Sequence, residues 1–251
     1  MPTSEQPAAC YVYGIVPADV ELTSDARGLA DRPVDVVRQG DVAALVSEVD
    51  PVVPLGRPAD LMAHQRLLDD AARDVPVLPM RFGAVMTDAR AVVRELLAPN
   101  EAGFRAALAE LEGRVEYVVR GRYVERAVLT EVVGENAAAA RLREQIRGRG
   151  EKEAYEARVR LGELLYRAVE AKRETDTGRL IETVSPYCVL SAVREPTHHL
   201  DAAHVAFLVD SARRSEFEDA VGKVGREWEE RADLRLQGPI APYDFVLTPG
   251  G

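Results

Sequence analysis

Pro239, Pro242, Tyr243 and Phe245 put two prolines and two aromatic side chains into one short run, Gly238-Pro239-Ile240-Ala241-Pro242-Tyr243-Asp244-Phe245-Val246. Proline fixes φ and removes a backbone donor, so this run can be neither a helix nor a central strand. Two rings and a valine this near a chain end would fray unless they dock against something. The tail is therefore tied onto the body of the protein or held ready for a partner.

The remaining chain must supply that body. At 251 residues it can form one large domain or two small ones, and it can bury enough surface to need no metal or disulfide staple. Its 32 basic and 42 acidic residues leave a net charge of -10, which argues against nucleic acid or an anionic membrane surface as the main partner. The two cysteines, Cys10 and Cys188, sit in apolar, strand-like runs and read as buried free thiols. Residues Met1 to Pro7 show no basic stretch followed by an apolar one, so no signal peptide is expected, and no apolar run reaches membrane-spanning length. A cytoplasmic protein is the expectation.

The first half alternates strands and helices. Tyr11–Val16 is apolar on both faces, as a central strand is. Val34–Arg38 and Val42–Val49 flank Gly40-Asp41 and predict a β-hairpin. A helix is expected over Pro58–Arg73, with Leu61, Leu68 and Ala72 on one face. The prolines of Val75–Met86 confine it to a sheet edge or an extended crossing. Asp88 can cap a short helix through Leu97, with Val92, Val93 and Leu96 inward. Pro99-Asn100 opens another, with Phe104, Leu108 and Leu111 as its stripe and Gly113 as its stop. Val115, Tyr117 and Val119 alternate with Glu116 and Arg120, the pattern of a half-buried strand. The series is close to a ferredoxin-like α/β sandwich over residues 1–124.

Beyond residue 125 the character changes. Glu125–Arg147 and Glu151–Thr175 are rich in Ala, Glu, Arg and Leu, and Gly148-Arg149-Gly150 breaks them, which predicts two helices forming a helical hairpin. Tyr155, Val159, Tyr166 and Val169 share one face of the second. The helix is expected to run on through Leu180–Val184 to Ser185-Pro186. Tyr187–Arg194 and Ala203–Asp210 read as strands. Ser215 and Glu218 form a capping box for a helix striped by Phe217, Val221, Val224 and Trp228, and Leu234–Leu236 is a last strand. Residues 125–251 thus make a C-terminal α+β domain with long helices, onto which the tail docks.

Motifs of chemistry are sparse. Gly148-Arg149-Gly150 lies between helices and reads as a loop, not a dinucleotide fingerprint. Lys223 follows Gly222, but Phe217 holds the place where a phosphate-binding loop needs glycine. There is no Gly-x-Ser-x-Gly elbow. His199 and His204 lack the carboxylate or cysteine that would complete a metal set, and read as a solvent-facing pair. His64 shares the face of Leu61 and Leu68 and reads as a half-buried histidine with a backbone partner. Arg81, between Met80 and Phe82, reads either as one half of a structural ion pair or as an anchor for a partner's acidic or carbonyl groups. Arg141, Arg143, Arg147 and Arg149 suit a helix C-terminus.

Four segments carry a resemblance. Tyr11-Val12-Tyr13-Gly14-Ile15, Val77-Leu78-Pro79-Met80-Arg81-Phe82-Gly83, Ala206-Phe207-Leu208-Val209-Asp210 and Gly238-Pro239 with Pro242-Tyr243-Asp244-Phe245 occur in the order seen in the gas vesicle protein F/L family, which the chain resembles over nearly its whole length. The family's tail usually reads Gly-Pro-Trp-Pro-Pro-Tyr; here Ile240 and Ala241 replace the Trp and a Pro. The resemblance implies two domains and a minor component of gas vesicles, located with them in the cytoplasm. It implies no enzyme and no cofactor. The implied partners are the small hydrophobic shell protein, whose aggregation it would prevent during nucleation and assembly, and other minor gas vesicle proteins. The motif residues Pro79, Arg81, Phe82, Gly83, Gly238, Pro239, Pro242, Tyr243 and Phe245 are the implied structural or interaction positions. A strand added to the proline-bearing edge near Val75–Met80, or an amphipathic helix laid on the helical hairpin, would serve such binding. A small-molecule-binding regulatory protein is the alternative reading, because α+β sandwiches often hold ligands.

Overall fold

The computed structural model describes residues 9–22, 26–150 and 152–246. The start of the chain, read above for a leader, and Glu151, where the second long helix is expected to open, lie outside these. The chain is mixed α+β and divides into two compact units: Met1–Glu116 with Gly238–Gly251, and Tyr117–Gln237. The division falls within a strand at Glu116, not at residue 124, and returns the tail to the first unit.

In the first unit, β1 (Ala9–Pro17) is the centre of a sheet ordered β2-β3-β1-β4, with β5 also paired to β1. The expected hairpin is present as β2 (Asp35–Gln39) and β3 (Val42–Val49), antiparallel, with Gln39 opposite Val42 and Gly40 at φ +54° to make the turn. β4 (Leu78–Pro79) and β5 (Val85–Met86) are the fragments left to the proline-bearing segment, and both lie antiparallel to β1. Pro58 sits in the first turn of α1 (Pro58–Ala71), and Asp60 turns back to accept the N–H groups of Gly56 and Arg57. The buried face of α1 is Asp60, His64, Leu67 and Leu68; Leu61 is exposed, contrary to the expected stripe.

Asp88 caps α2 (Ala89–Ala91) by accepting from Ala91 N–H at 2.7 Å. A π-helical stretch, Val92–Leu97, then joins α2 to α3 (Ala98–Leu111) without the break expected at Pro99. Ala98 N–H bonds back to Val93 O, a wider turn than the α-helical one beside a proline that has no N–H to give. Phe104, Leu108 and Leu111 face the core as the spacing predicts, and Gly113 leaves the helix at φ +68°.

The ferredoxin-like expectation needs Val115–Val119 as its closing strand. That segment lies instead in β6 (Arg114–Tyr123), in the other sheet, whose order is β7-β8-β6-β9. Residues 115–119 are buried on both faces, so the alternation predicted from Glu116 fails. β7 (Leu190–Val193) and β8 (Asp201–Asp210) pair antiparallel, and β9 (Ala232–Ile240) carries Gly238-Pro239 inside an edge strand, where a missing donor is tolerated. The expected helix over 125–147 is two, α4 (Glu125–Glu135) and α5 (Ala137–Ile146). Asn136 divides them and caps α5 by accepting from Ala138 and Ala139. Both pack on α6 (Tyr155–Val184), which runs to Ser185-Pro186 as predicted. Phe217, Val221 and Val224 of α7 (Arg214–Glu227), with Trp228 just beyond, are all buried as expected. The Ser215–Glu218 capping box is absent: Ser215 lies inside the first turn, and Glu218 accepts from Tyr117 Oη at 2.6 Å.

Candidate functional site

Three of the four motif segments meet in the core of the first unit. Tyr11 and Tyr13 lie two apart on β1, so strand periodicity puts both rings on one face. His64 of α1 comes from the facing layer. Phe82, in the turn between β4 and β5, packs 5.9 Å from the Tyr11 ring and 5.7 Å from His64. Both tyrosine hydroxyls are tied. Tyr11 Oη lies 2.9 Å from His64 Nδ1 and accepts from Gly83 N–H. Tyr13 Oη donates to Ser47 Oγ and accepts from Leu29 N–H at 2.8 Å, and Ser47 in turn donates to Pro33 O. Burial pushes the Tyr11 phenol up to about 12 and holds the His64 imidazole below its ordinary value. Gly83, at φ +92°, makes a turn that a side chain would strain.

The tail docks on the same core. Ala241 is fully buried and donates its N–H to Asp69 on α1 at 2.9 Å. Tyr243 packs against the core cluster built by Tyr11, Tyr13, Leu67 and Leu68. Asp244 N–H donates to Glu116, a carboxylate with no exposed surface. Pro242 is buried, whereas Pro239 and Phe245 are half-buried and Gly238 is exposed. Asp69 and Glu116 are the functional tethers that the sequence reading missed. A glutamate inside the apolar run Val115–Val119 was the available signal for one of them; Asp69, beside Asp70, gave none.

Pro79 is buried in β4 opposite Gly14. Arg81 corrects an expectation. It is exposed and makes no ion pair among the described residues, so it is not a buried structural charge. Its exposure follows from the turn at Phe82-Gly83: Phe82 takes the inward position, and the backbone of Arg81 accepts from Ala84 N–H. Cys10 is buried, with its thiol pushed up to about 11 by burial and the carboxylates of Glu48, Asp88 and Asp35, so it is a poor nucleophile.

The second unit holds a charge network around the buried Asp176. Arg231 bridges Asp176 at 2.7 Å and Glu131 at 2.9 Å; Lys172 bridges Glu131 and Glu135; Tyr123 Oη donates to Asp176. Burial pushes Glu131 up, but Arg231 and Lys172 outweigh it and hold its carboxyl below the usual range. Asp201, with no exposed surface, accepts from Arg120, from the Thr197 N–H and hydroxyl and from His198 N–H. These groups satisfy one another, as structural networks do. His204 Nδ1 lies 3.1 Å from Glu195 O, and His198 stacks on His199. Among the described residues no group of three or more His, Cys, Asp or Glu is placed to hold a metal ion, and no helix is long and apolar enough to cross a membrane. The arrangement gathers rings and tethers rather than a nucleophile and its base.

Comparison with known proteins matches residues 9–247 to the family described as gas vesicle synthesis protein GvpL/GvpF. The chain is 34% identical to gas vesicle protein F of Streptomyces sp. (strain CB03234), covering 94% of this chain and 98% of that one. It is 30% identical to gas vesicle protein L of the same strain, covering 94% and 92%. The crystal structure of GvpF from Anabaena sp. PCC7120 superposes with a TM-score of 0.82 at 24% identity, over 96% of this chain and 99% of that one. GvpF from Microcystis aeruginosa superposes at 0.78 with 19% identity.

Proposed function

This chain belongs to the GvpL/GvpF family of gas vesicle synthesis proteins, and from that premise we propose that it works by binding. It holds the small hydrophobic shell protein of the vesicle, keeps it dispersed, and so assists nucleation and assembly of the wall. The observation that carries this reading is the family match over residues 9–247, supported by a gas vesicle relative 34% identical over 98% of that relative's length. The physical case is simple. A subunit whose apolar face will line a gas space aggregates in water before assembly. A partner with a net charge of -10 and exposed apolar side chains can cover that face and lend it solubility.

In this reading the protein is not an enzyme, uses no cofactor, and sits in the cytoplasm with gas vesicles, beside other minor vesicle proteins. The ring cluster and docked tail fix the shape of the first unit, and Arg81 stands beside them as an exposed cation. In the second unit, Tyr155, Val159 and Tyr166 on α6 are exposed positions suited to an amphipathic helix.

Co-expression of the full chain with a gas vesicle shell protein tests the reading. Co-purification of the two, with more shell protein in the soluble fraction, is the expected result. A folded chain that captures no shell protein overturns it.

A further inference from the structure

A sheet edge is a row of unpaired donors and acceptors, and proteins guard such edges with charges, prolines or very short strands. Most edge strands among the described residues are guarded in those ways. β2 carries Asp35 and Arg38; β4 and β5 are two residues long, and β4 ends in Pro79; β9 carries Asp233, Arg235 and Pro239. The edge of β7 is not. β7 reads Leu190-Ser191-Ala192-Val193, with no charge and no proline, and among the described residues it pairs only with β8. Its apolar side chains are exposed: Leu190 by 53% and Val193 by 65%, with Val189 beside them at 37%.

The pairing register says which backbone groups are open. Leu190 lies opposite Leu208 and Val193 opposite Val205, and Arg194 N–H donates to His204 O at 2.8 Å. Bonded positions alternate along an antiparallel pair, so 190, 192 and 194 bond to β8 while Ser191 and Val193 turn their N–H and C=O groups outward. Next to this edge lies a cavity of about 380 Å³ to which Val193, Pro196 and Ile181 give apolar surface and to which Arg173, Glu174 and Arg194 also contribute, with room for a bulky apolar side chain.

We propose that the open edge of β7 receives an extended, uncharged segment of the shell subunit as an added strand, with one of its apolar side chains seated in the cavity beside Val193. This rests on the binding role proposed above and moves the strand-addition site from the first unit to the second. The prolines near Val75–Met80 remove the donors that strand addition there would use. The occupant follows from the edge. Main-chain groups at 191 and 193 call for another strand, and an uncharged, apolar edge excludes a charged one. A second copy of this chain would bring the same net charge of -10 against itself.

The test uses the full chain co-expressed with the shell subunit, in three forms: wild type, Val193→Lys and Ser191→Pro. Both positions are exposed and outside the β8 bonds, so each variant is expected to keep the wild-type thermal melt. Lysine sets an unpaired charge in the new ladder and proline removes its donor, and each is expected to lower shell capture by roughly tenfold or more. In the wild-type complex, hydrogen exchange at the amides of Ser191 and Val193 is expected to slow, a signature that contact through side chains alone does not give. Wild-type capture with unchanged capture by both folded variants, or with no protection of those amides, overturns the β7 site and leaves the binding role standing. Absence of capture by the folded wild type overturns both.

Discussion

Two tyrosines on one core make opposite predictions for the loss of a hydroxyl. Tyr243 Oη is buried with no hydrogen-bond partner among the described residues, and burial pushes its phenol well up from the ordinary value. A hydroxyl removed from water without a replacement bond costs about 1–3 kcal/mol on the scale of protein mutants. Tyr243→Phe keeps the ring in the cluster and removes that cost, so it is expected to stabilise the protein by about 1 kcal/mol, the low end because the ring is only half-buried. Tyr11 Oη, by contrast, is held between His64 Nδ1 at 2.9 Å and Gly83 N–H at 3.2 Å. Tyr11→Phe strands both groups and is expected to cost about 1–2 kcal/mol. For a chain of this length each kcal/mol moves the melting midpoint by about 2–4 °C. Thermal and urea denaturation followed by circular dichroism should therefore separate the variants to either side of wild type. Loss of stability in Tyr243→Phe, or indifference in Tyr11→Phe, would refute the assignment of which hydroxyl is satisfied.

Further perturbations follow from the same contacts. Burial holds the His64 imidazole below its ordinary value, so the unfolded chain takes a proton more readily than the folded one. Its contribution to stability is full above the ordinary value near 6.5 and falls as pH drops below it, with a slope approaching about 1.4 kcal/mol per pH unit. Urea titrations at pH 7.5, 6.5 and 5.5 should show that fall in wild type, and a flatter curve in His64→Gln. Arg81→Ala should keep wild-type stability within about 0.5 kcal/mol, because the exposed side chain has no ion pair to lose; a melt lowered by several degrees would contradict that placement. Asp176→Ala leaves Arg231 and the Tyr123 hydroxyl short of a buried acceptor and should cost about 3 kcal/mol or more in urea titration.

Elements whose residues answer only to their own neighbours were legible in the sequence. The Gly40 turn, the Asp88 cap and the Phe217–Trp228 stripe each follow from local chemistry, and each is where its spacing puts it. What was not legible depended on which surface each segment meets. Glu116 reads as an outward residue by alternation, yet its strand is covered on both faces and its carboxylate is used to hold Asp244 N–H. Leu61 and Leu68, seven residues apart, fit almost the same helical face, and only the position of α1 over β1 decides that Leu68 is buried while Leu61 is exposed. Pro99 looks like a helix start because the π turn that absorbs it leaves no mark in composition. Of the candidate site, Phe82, Gly83 and Tyr243 were named from the motifs, whereas Asp69, Glu116 and His64, which meet Ala241 N–H, Asp244 N–H and the Tyr11 hydroxyl, were not assigned. A lone carboxylate or imidazole carries no signal of which N–H or hydroxyl will reach it.

The central claim is that this protein keeps a shell subunit in solution by binding it. The most direct measurement dilutes denatured shell subunit into buffer with and without an equimolar amount of the folded protein, follows light scattering, and then runs size exclusion. Suppressed scattering with co-elution of the two proteins is the predicted result. Scattering that rises at the same rate in both samples, with the protein eluting alone, would contradict the account.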